Sequence, residues 1–227
     1  MTSSFSGRVF VVTGSASGMG LATAKPLLER GASLGLCDLN GASLEKLFNS
    51  LPEEQKSRVI IQIMTSRTAV LLDGVANIAG TGGHKLGLES IWETEDKEFE
   101  YIVDALKPDV LEEPGSVVHI SSMFSMRGYP QGAVFSASKH AAVRMVKSAA
   151  MEVGERNIRV NVVMPDAIDT PMTHAMRGAG APNPVPNYPI PRLGTPQENA
   201  NVVAFLLSEE SSFVTGATWA VDGGAIA

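Results

Sequence analysis

The sequence predicts an α/β domain built on a doubly wound parallel sheet of about seven strands. Three observations predict it. Seven short runs rich in Val, Ile and Leu recur along the 227 residues, they are apolar at consecutive positions, and helix-forming stretches separate them. An uninterrupted apolar run is a strand covered on both faces. Strand–helix alternation returns each strand in the same direction, which makes the sheet parallel. The length fits a single domain whose core needs no disulfide.

Taken in order, "RVFVVT" (8–13) runs into "TGSASGMG" (13–20) and then into the helical "LATAKPLLERGA", where Pro26 predicts a kink. Gly14, Gly18 and Gly20, with Ser17 and Met19 between them, form the turn. Glycines let a backbone approach a pyrophosphate, and the helix start offers free N–H groups at a positive dipole end. The next strand, "SLGLCD" (33–38), ends on Asp38. Strand, glycine turn, helix and acid in this succession are the context of a Rossmann-type dinucleotide site. The Asp38 carboxylate can accept from both adenosine ribose hydroxyls and would repel a 2′-phosphate. No Arg or Lys stands at 15–17, at Leu39 or at Asn40 to hold such a phosphate, so local charge favours NAD(H).

"RVIIQI" (58–63) and "GVANIA" (74–79) follow, separated by only ten residues, "MTSRTAVLLD". A parallel crossover usually takes about a dozen or more, mostly helical, so this one is expected to lack its helix or reduce it to a turn. "SVVHIS" (116–121), an Ala-rich helix over 136–153, "IRVNVV" (158–163) and "ATWAVD" (217–222) complete the pattern. The Pro/Gly-rich 177–194 has no apolar periodicity, and about 172–194 is expected to be a lid loop. The chain thus divides into a dinucleotide-binding half, about 1–115, and a catalytic half, about 116–227.

Several classes are excluded. Net charge is −6 with no Lys/Arg cluster, so nucleic acid is not an expected partner. The polar "MTSSFSGR" is no signal peptide, and no apolar run approaches the roughly 20 residues of a membrane span. Cys37 is the one cysteine, which fits a reducing compartment. The expectation is a cytoplasmic protein acting on a small molecule. No His/Cys/Asp/Glu spacing predicts a metal site.

"TGSASGMG", "ANIAG" (76–80), "HISS" (119–122), "SASKH" (136–140), "IRVNVVMP" (158–165) and 192–224 stand in the order found in short-chain dehydrogenases/reductases, which the chain resembles over nearly its whole length. The resemblance implies cofactor contacts at Asn77, Ala79, Gly80, Pro165, Ile168 and Thr170. It also implies a catalytic Ser, a Tyr thirteen positions later and a Lys four beyond that. Ser122 and Lys139 hold two of those places. Phe135 holds the Tyr's. Lys139 is expected to bind the nicotinamide ribose. The family's Asn-containing turn has no clear match within 98–115. Helices there often build the family's tetramer, so a homo-oligomer is expected through the Ala-rich helix instead.

A further departure lies in "MPDAIDTPM" (164–172), where Asp166 follows Pro165 in place of the family's Gly. Asp166 is thereby expected beside the nicotinamide and the substrate. The alternative is a solvated turn carboxylate. A ketone that receives hydride becomes an alkoxide, and a placed acid speeds this by about 10²–10⁴-fold. Phe135 keeps the bulk and removes the acid. An iminium carbon becomes a neutral amine with no proton, and a carboxylate at ~4 Å stabilises it by about 4 kcal/mol at an effective dielectric near 20. Both departures favour a cationic C=N substrate.

The pair of departures resembles fungal short-chain reductases that make bicyclic diazaoctane indole alkaloids of the malbrancheamide and paraherquamide type. That resemblance implies NADPH-dependent reduction of a cyclic iminium derived from a prenylated indole dipeptide. It further implies a steered intramolecular Diels–Alder cyclisation. Gln131, Arg127 and Met123 are expected in the substrate pocket, Arg127 alternatively as a surface charge. Trp219, His119 and His140 are expected to be structural, His119 with its hydrogen bonds satisfied. Three functions stay open: the iminium reductase and cyclase, an ordinary alcohol dehydrogenase or carbonyl reductase with another acid, and a non-catalytic dinucleotide-binding protein.

Overall fold

Strand order follows from where the chain turns back. The computed structural model describes residues 4–63, 73–78, 114–128, 130–179 and 188–227. In it β1 (Val9–Thr13) leads to α1 (Gly18–Glu29), β2 (Ser33–Asp38), α2 (Gly41–Ser50), the short α3 (Glu53–Lys56) and β3 (Val59–Ile63). Then come β4 (Gly74–Asn77), β5 (Gly115–Ile120), α4 (Ala133–Val153), β6 (Ile158–Pro165), α5 (Pro171–Gly178), α6 (Pro196–Leu207) and β7 (Thr218–Val221). The seven strands pair in the order β3-β2-β1-β4-β5-β6-β7, all parallel. The chain builds outward from β1 on one side and restarts at β4 on the other. The crevice at that switch point, beyond the strand C-termini, is where ligands bind in such sheets.

All seven expected strands are present, and the central strands β4, β5 and β6 are buried on both faces. Neighbouring residues on β5 enter opposite layers. Val117 joins Val143, Val146, Val160 and Val162 under α4, whereas Val118 joins Phe10, Leu27, Leu34 and Leu206 toward α1 and α6. This period-two division of consecutive apolar residues is what the uninterrupted runs encode. Trp219 packs at the margin of the second layer, its ring centroid 5.4 Å from that of Phe205.

Pro26 lies within α1, which continues to Glu29, and the Arg30 N–H reaches the Pro26 carbonyl at 3.1 Å. Two expectations are corrected. The helix expected from 136 begins at Ala133, placing Phe135 in its first turn. The lid expected over 172–194 opens with a helix: Thr170 accepts the Thr173 N–H at 3.3 Å and Pro171 takes the first helical position, so the segment is capped and started in the ordinary way. The connection at 64–72, the stretch 79–113 and the lid residues 180–187 lie outside the described residues. No helix among the described residues is long and apolar enough to cross a membrane.

Candidate active site

The dinucleotide cradle is preformed by backbone. Gly14 and Gly18 have φ of 66° and 51°, left-handed values that glycine adopts without strain. A Cβ on Gly20 would lie 2.0 Å from the Gly14 carbonyl oxygen, so the first turn of α1 sits directly against the loop. Ser17 makes no side-chain cap and the first turn carries no acid, which leaves its N–H groups and dipole for an anion. Met19 packs against the core. The two Asp38 oxygens accept the Ala16 and Asn40 N–H groups, each at 2.9 Å, holding the carboxylate beside the turn. Leu39 next to it is exposed. These residues fit a pyrophosphate at the helix start and an adenosine ribose at Asp38.

Asn77 connects this cradle to the catalytic side. The Thr13 hydroxyl donates to its Oδ1 at 2.9 Å and itself accepts the Ile78 N–H at 3.0 Å. Since Asn77 Oδ1 is thereby taken, its NH₂ group donates to His119 Nδ1 at 3.2 Å. The His119 proton must then sit on Nε2, which has no partner among the described residues. His119 is expected to be satisfied, and among the described residues only its Nδ1 has a partner. Burial, reinforced by the Lys139 charge, lowers its pKa to about 3, so the ring is neutral. His140 Nδ1 donates to the Ser136 carbonyl one turn earlier on the same helix, 2.8 Å away. Ala79 and Gly80 lie outside the described residues.

Ser122, Phe135 and Lys139 converge where β5 meets α4. Ser122 ends the strand and its Oγ accepts the Phe124 N–H at 3.3 Å. The Ser121 hydroxyl donates to the Lys139 carbonyl at 3.0 Å, tying the strand end to the helix. Phe124 meets the Phe135 ring edge-to-face at 6.0 Å, and Lys139 Nζ stands 5.5 Å from the centroid of the same ring. The aromatic place is therefore kept and packed; only its hydroxyl is gone. Lys139 Nζ donates to the Ile120 carbonyl at 3.3 Å, and burial pushes its ammonium down to about 8.

Asp166 closes the far side. It follows β6, its N–H reaches the Val221 carbonyl at 3.3 Å, and its side chain is half-buried. Burial raises its pKa to about 6; Arg127 opposes that rise, Asp222 adds to it, and the Ala167 N–H opposes it. Arg127 is an exposed residue, yet its guanidinium lies 5.9 Å from the Phe124 ring centroid and 3.3 Å from Met123 Sδ, so its charge is directed into the site. Met123 itself is fully buried behind it, backing the pocket without surfacing in it. Gln131 is exposed at φ 59°, at the entry to α4. Ile168 and Thr170 are buried, and a Cβ on Gly18 would lie 3.4 Å from Thr170 Cγ2, which brings this segment onto the glycine turn.

One functional candidate escaped the sequence. The Tyr188 hydroxyl donates a hydrogen bond to Asp166 Oδ2. Its segment is pinned by the Ile190 N–H on the Gly223 carbonyl at 3.0 Å and by a parallel bridge between Ile168 and Gly194. Arg192 grips Glu198 with both nitrogens, at 2.9 and 2.6 Å. An aromatic in a proline-rich loop was the available signal, and it carries no partner with it. Among the described residues no His/Cys/Asp/Glu cluster could hold a metal.

Two family models match the chain: short chain dehydrogenase over residues 8–84 and enoyl-(acyl carrier protein) reductase over residues 65–225. A short-chain dehydrogenase/reductase of Botryotinia fuckeliana (strain B05.10), aba4, is 34% identical over 254 aligned positions covering 97% of each chain. Cyclohexanol dehydrogenase of Acinetobacter sp. (strain SE19) is 30% identical, covering 98% of this chain and 96% of its own. A solved 3-oxoacyl-(acyl-carrier protein) reductase with bound NAD, from Brucella melitensis, superposes with a TM-score of 0.79 at 30% identity, over 97% of this chain and 92% of that one. Whole-length agreement in sequence and in sheet places this chain in the short-chain dehydrogenase/reductase family, oxidoreductases that bind a nicotinamide dinucleotide.

Proposed function

We propose that the chain reduces a cationic C=N group in a cyclic, dipeptide-derived intermediate, with Asp166 as counter-ion to the cation. One observation carries the reading: Asp166 is a half-buried carboxylate with Arg127 and Tyr188 facing it, while a packed Phe135 ring stands where the family has its phenol. A carboxylate whose charge is disfavoured by burial is the environment that an entering cation relieves. The bound nicotinamide supplies hydride. Gly14, Ser17, Gly18 and Gly20 would hold its pyrophosphate, Asp38 its adenosine ribose, Lys139 its second ribose, and Pro165, Ile168 and Thr170 its carboxamide end. Asp38 favours NAD(H) over NADP(H).

The proposal extends to the product. A cleft that holds diene and dienophile in one near-attack geometry would steer a Diels–Alder cyclisation, as in fungal indole alkaloid biosynthesis; the support is the pair of departures at 135 and 166. A cytoplasmic homo-oligomer belongs to the same reading, supported by exposed Met145 and Met151 on α4. Sedimentation equilibrium is expected to give a multiple of 23.9 kDa, and a monomer would remove that element.

A second reading, carbonyl or alcohol chemistry with another acid, is favoured by the protonatable Asp166. One experiment separates the two. The wild-type protein with NADH is offered a preformed cyclic iminium and the matching cyclic ketone. Oxidation of NADH is expected with the iminium and not the ketone. Phe135→Tyr restores a phenol beside Lys139, so it is expected to raise ketone turnover by about 10²-fold or more and leave iminium turnover within about twofold. Equal wild-type turnover of both substrates would overturn the C=N reading.

A further inference from the structure

Tyr188 bonds to Asp166 from the lid, 22 residues further along the chain. A carboxylate awaiting a preformed cation has no need of a phenol. A carboxyl group that must first give up a proton does, because the O–H donor stabilises the carboxylate left behind. We propose that the substrate arrives as a neutral cyclic imine, that Asp166 protonates it, and that Tyr188 is the positioning residue that holds the Asp166 carboxylate once its proton has left. This rests on the C=N reading above and names the form in which that substrate enters.

The surroundings support it. Three groups besides Tyr188 act on the carboxyl: Arg127 and the Ala167 N–H favour the charged form, while Asp222, together with burial, disfavours it. Burial has the largest effect and leaves the group titrating at about 6, where acid and base forms are both populated near neutrality. Of the other polar groups at the site, Lys139 Nζ donates to the Ile120 carbonyl and Ser122 Oγ accepts the Phe124 N–H, and neither is joined to Asp166 by these bonds. Phe135 has no proton to give.

The step balances. The O–H bond of Asp166 breaks as an N–H bond forms on the imine nitrogen, giving an iminium–carboxylate pair. The iminium carbon takes hydride, the dinucleotide is oxidised, and the amine nitrogen becomes neutral. Asp166 then regains a proton from water at its half-exposed mouth. One imine, one proton and one hydride become one amine.

The test compares a neutral cyclic imine with its N-methylated, permanently charged iminium, in the wild type and in Tyr188→Phe. For the neutral imine the wild-type kcat should fall as pH rises through about 6. Tyr188→Phe removes a donor to the carboxylate, so its limb should move up by about one pH unit and kcat at the plateau drop roughly tenfold, with KM near wild type. The imine's own titration would not move with the mutation. The N-methyl iminium should show no such limb and be turned over within about twofold by both proteins. In the protein without ligands, thermal stability falls as pH rises from about 4 to about 6, and in Tyr188→Phe the upper end of that fall should move up by the same amount while its lower end stays. A pH-independent wild-type kcat on the neutral imine, or an equal loss on both substrates in Tyr188→Phe, would overturn the proposal. If the wild type leaves the N-methyl iminium unreduced, the C=N reading itself is wrong.

Discussion

Asp166→Asn should leave dinucleotide binding unchanged and lower reduction of a C=N substrate by about 10²–10³-fold. The carboxamide keeps the size of the side chain and an oxygen for the Tyr188 hydroxyl, but it carries no charge. Attraction to a cation at ~4 Å amounts to about 4 kcal/mol at an effective dielectric near 20, and the cleft's partial access to solvent reduces it. The loss should fall on kcat/KM, because the glycine turn that would meet the pyrophosphate lies between β1 and α1, away from Asp166 in the chain. A second readout needs no substrate. Burial raises the folded-state pKa of Asp166 to about 6 from 3.8. Between those values the folded state holds more protons than the unfolded one, so stability falls as pH rises across that window and stays lower above it. Asp166→Asn removes the fall. After allowance for solvent screening this is about 1 kcal/mol, or roughly 2–4 °C in Tm at pH 8, with no difference below pH 4. A mutant that matches wild type in C=N turnover and product enantiomeric excess would reduce Asp166 to a turn residue.

Gly20→Ala should do the opposite: abolish dinucleotide binding before any chemistry. The added carbon would sit 2.0 Å from the Gly14 oxygen, 2.6 Å from the Gly14 carbon and 3.0 Å from Ser15 Cα. All three are backbone atoms, so no side chain can swing aside. Either α1 moves away from the loop or the loop moves, and both displace the N–H groups that would meet the pyrophosphate. Overpacking of this kind costs about 1–3 kcal/mol, a Tm loss of roughly 2–12 °C for a chain of this size. Calorimetric titration is expected to show NADH bound more tightly than NADPH by the wild type, since two backbone amides hold the Asp38 carboxylate beside the glycine turn, where its charge would repel a 2′-phosphate. Gly20→Ala should weaken both by about 10²-fold or more, equivalent to the same 3 kcal/mol. Wild-type affinity in the mutant would mean that the turn does not hold the cofactor.

The sequence by itself determined the features that local spacing encodes. Consecutive apolar residues became seven parallel strands, the central ones buried on both faces, the glycines and Asp38 fell within one strand–helix–strand unit, and Ser122, Phe135 and Lys139 stood at intervals that a strand end and a helix turn convert into neighbours. The helix of the lid was also written locally, in Thr170 and Pro171, and was missed because the proline-rich run beyond it dominated the reading. Only the tertiary structure decided which segments meet over the C-terminal edge of the sheet. Tyr188 reaches Asp166, Arg127 directs its charge at the same carboxyl, Asn77 orients His119, and Thr170 rests on Gly18. These pairs join residues on separate elements, where no periodicity relates one position to the other. Their effects, such as a carboxyl raised to about 6, come from burial and from neighbours that exist only once the chain has folded.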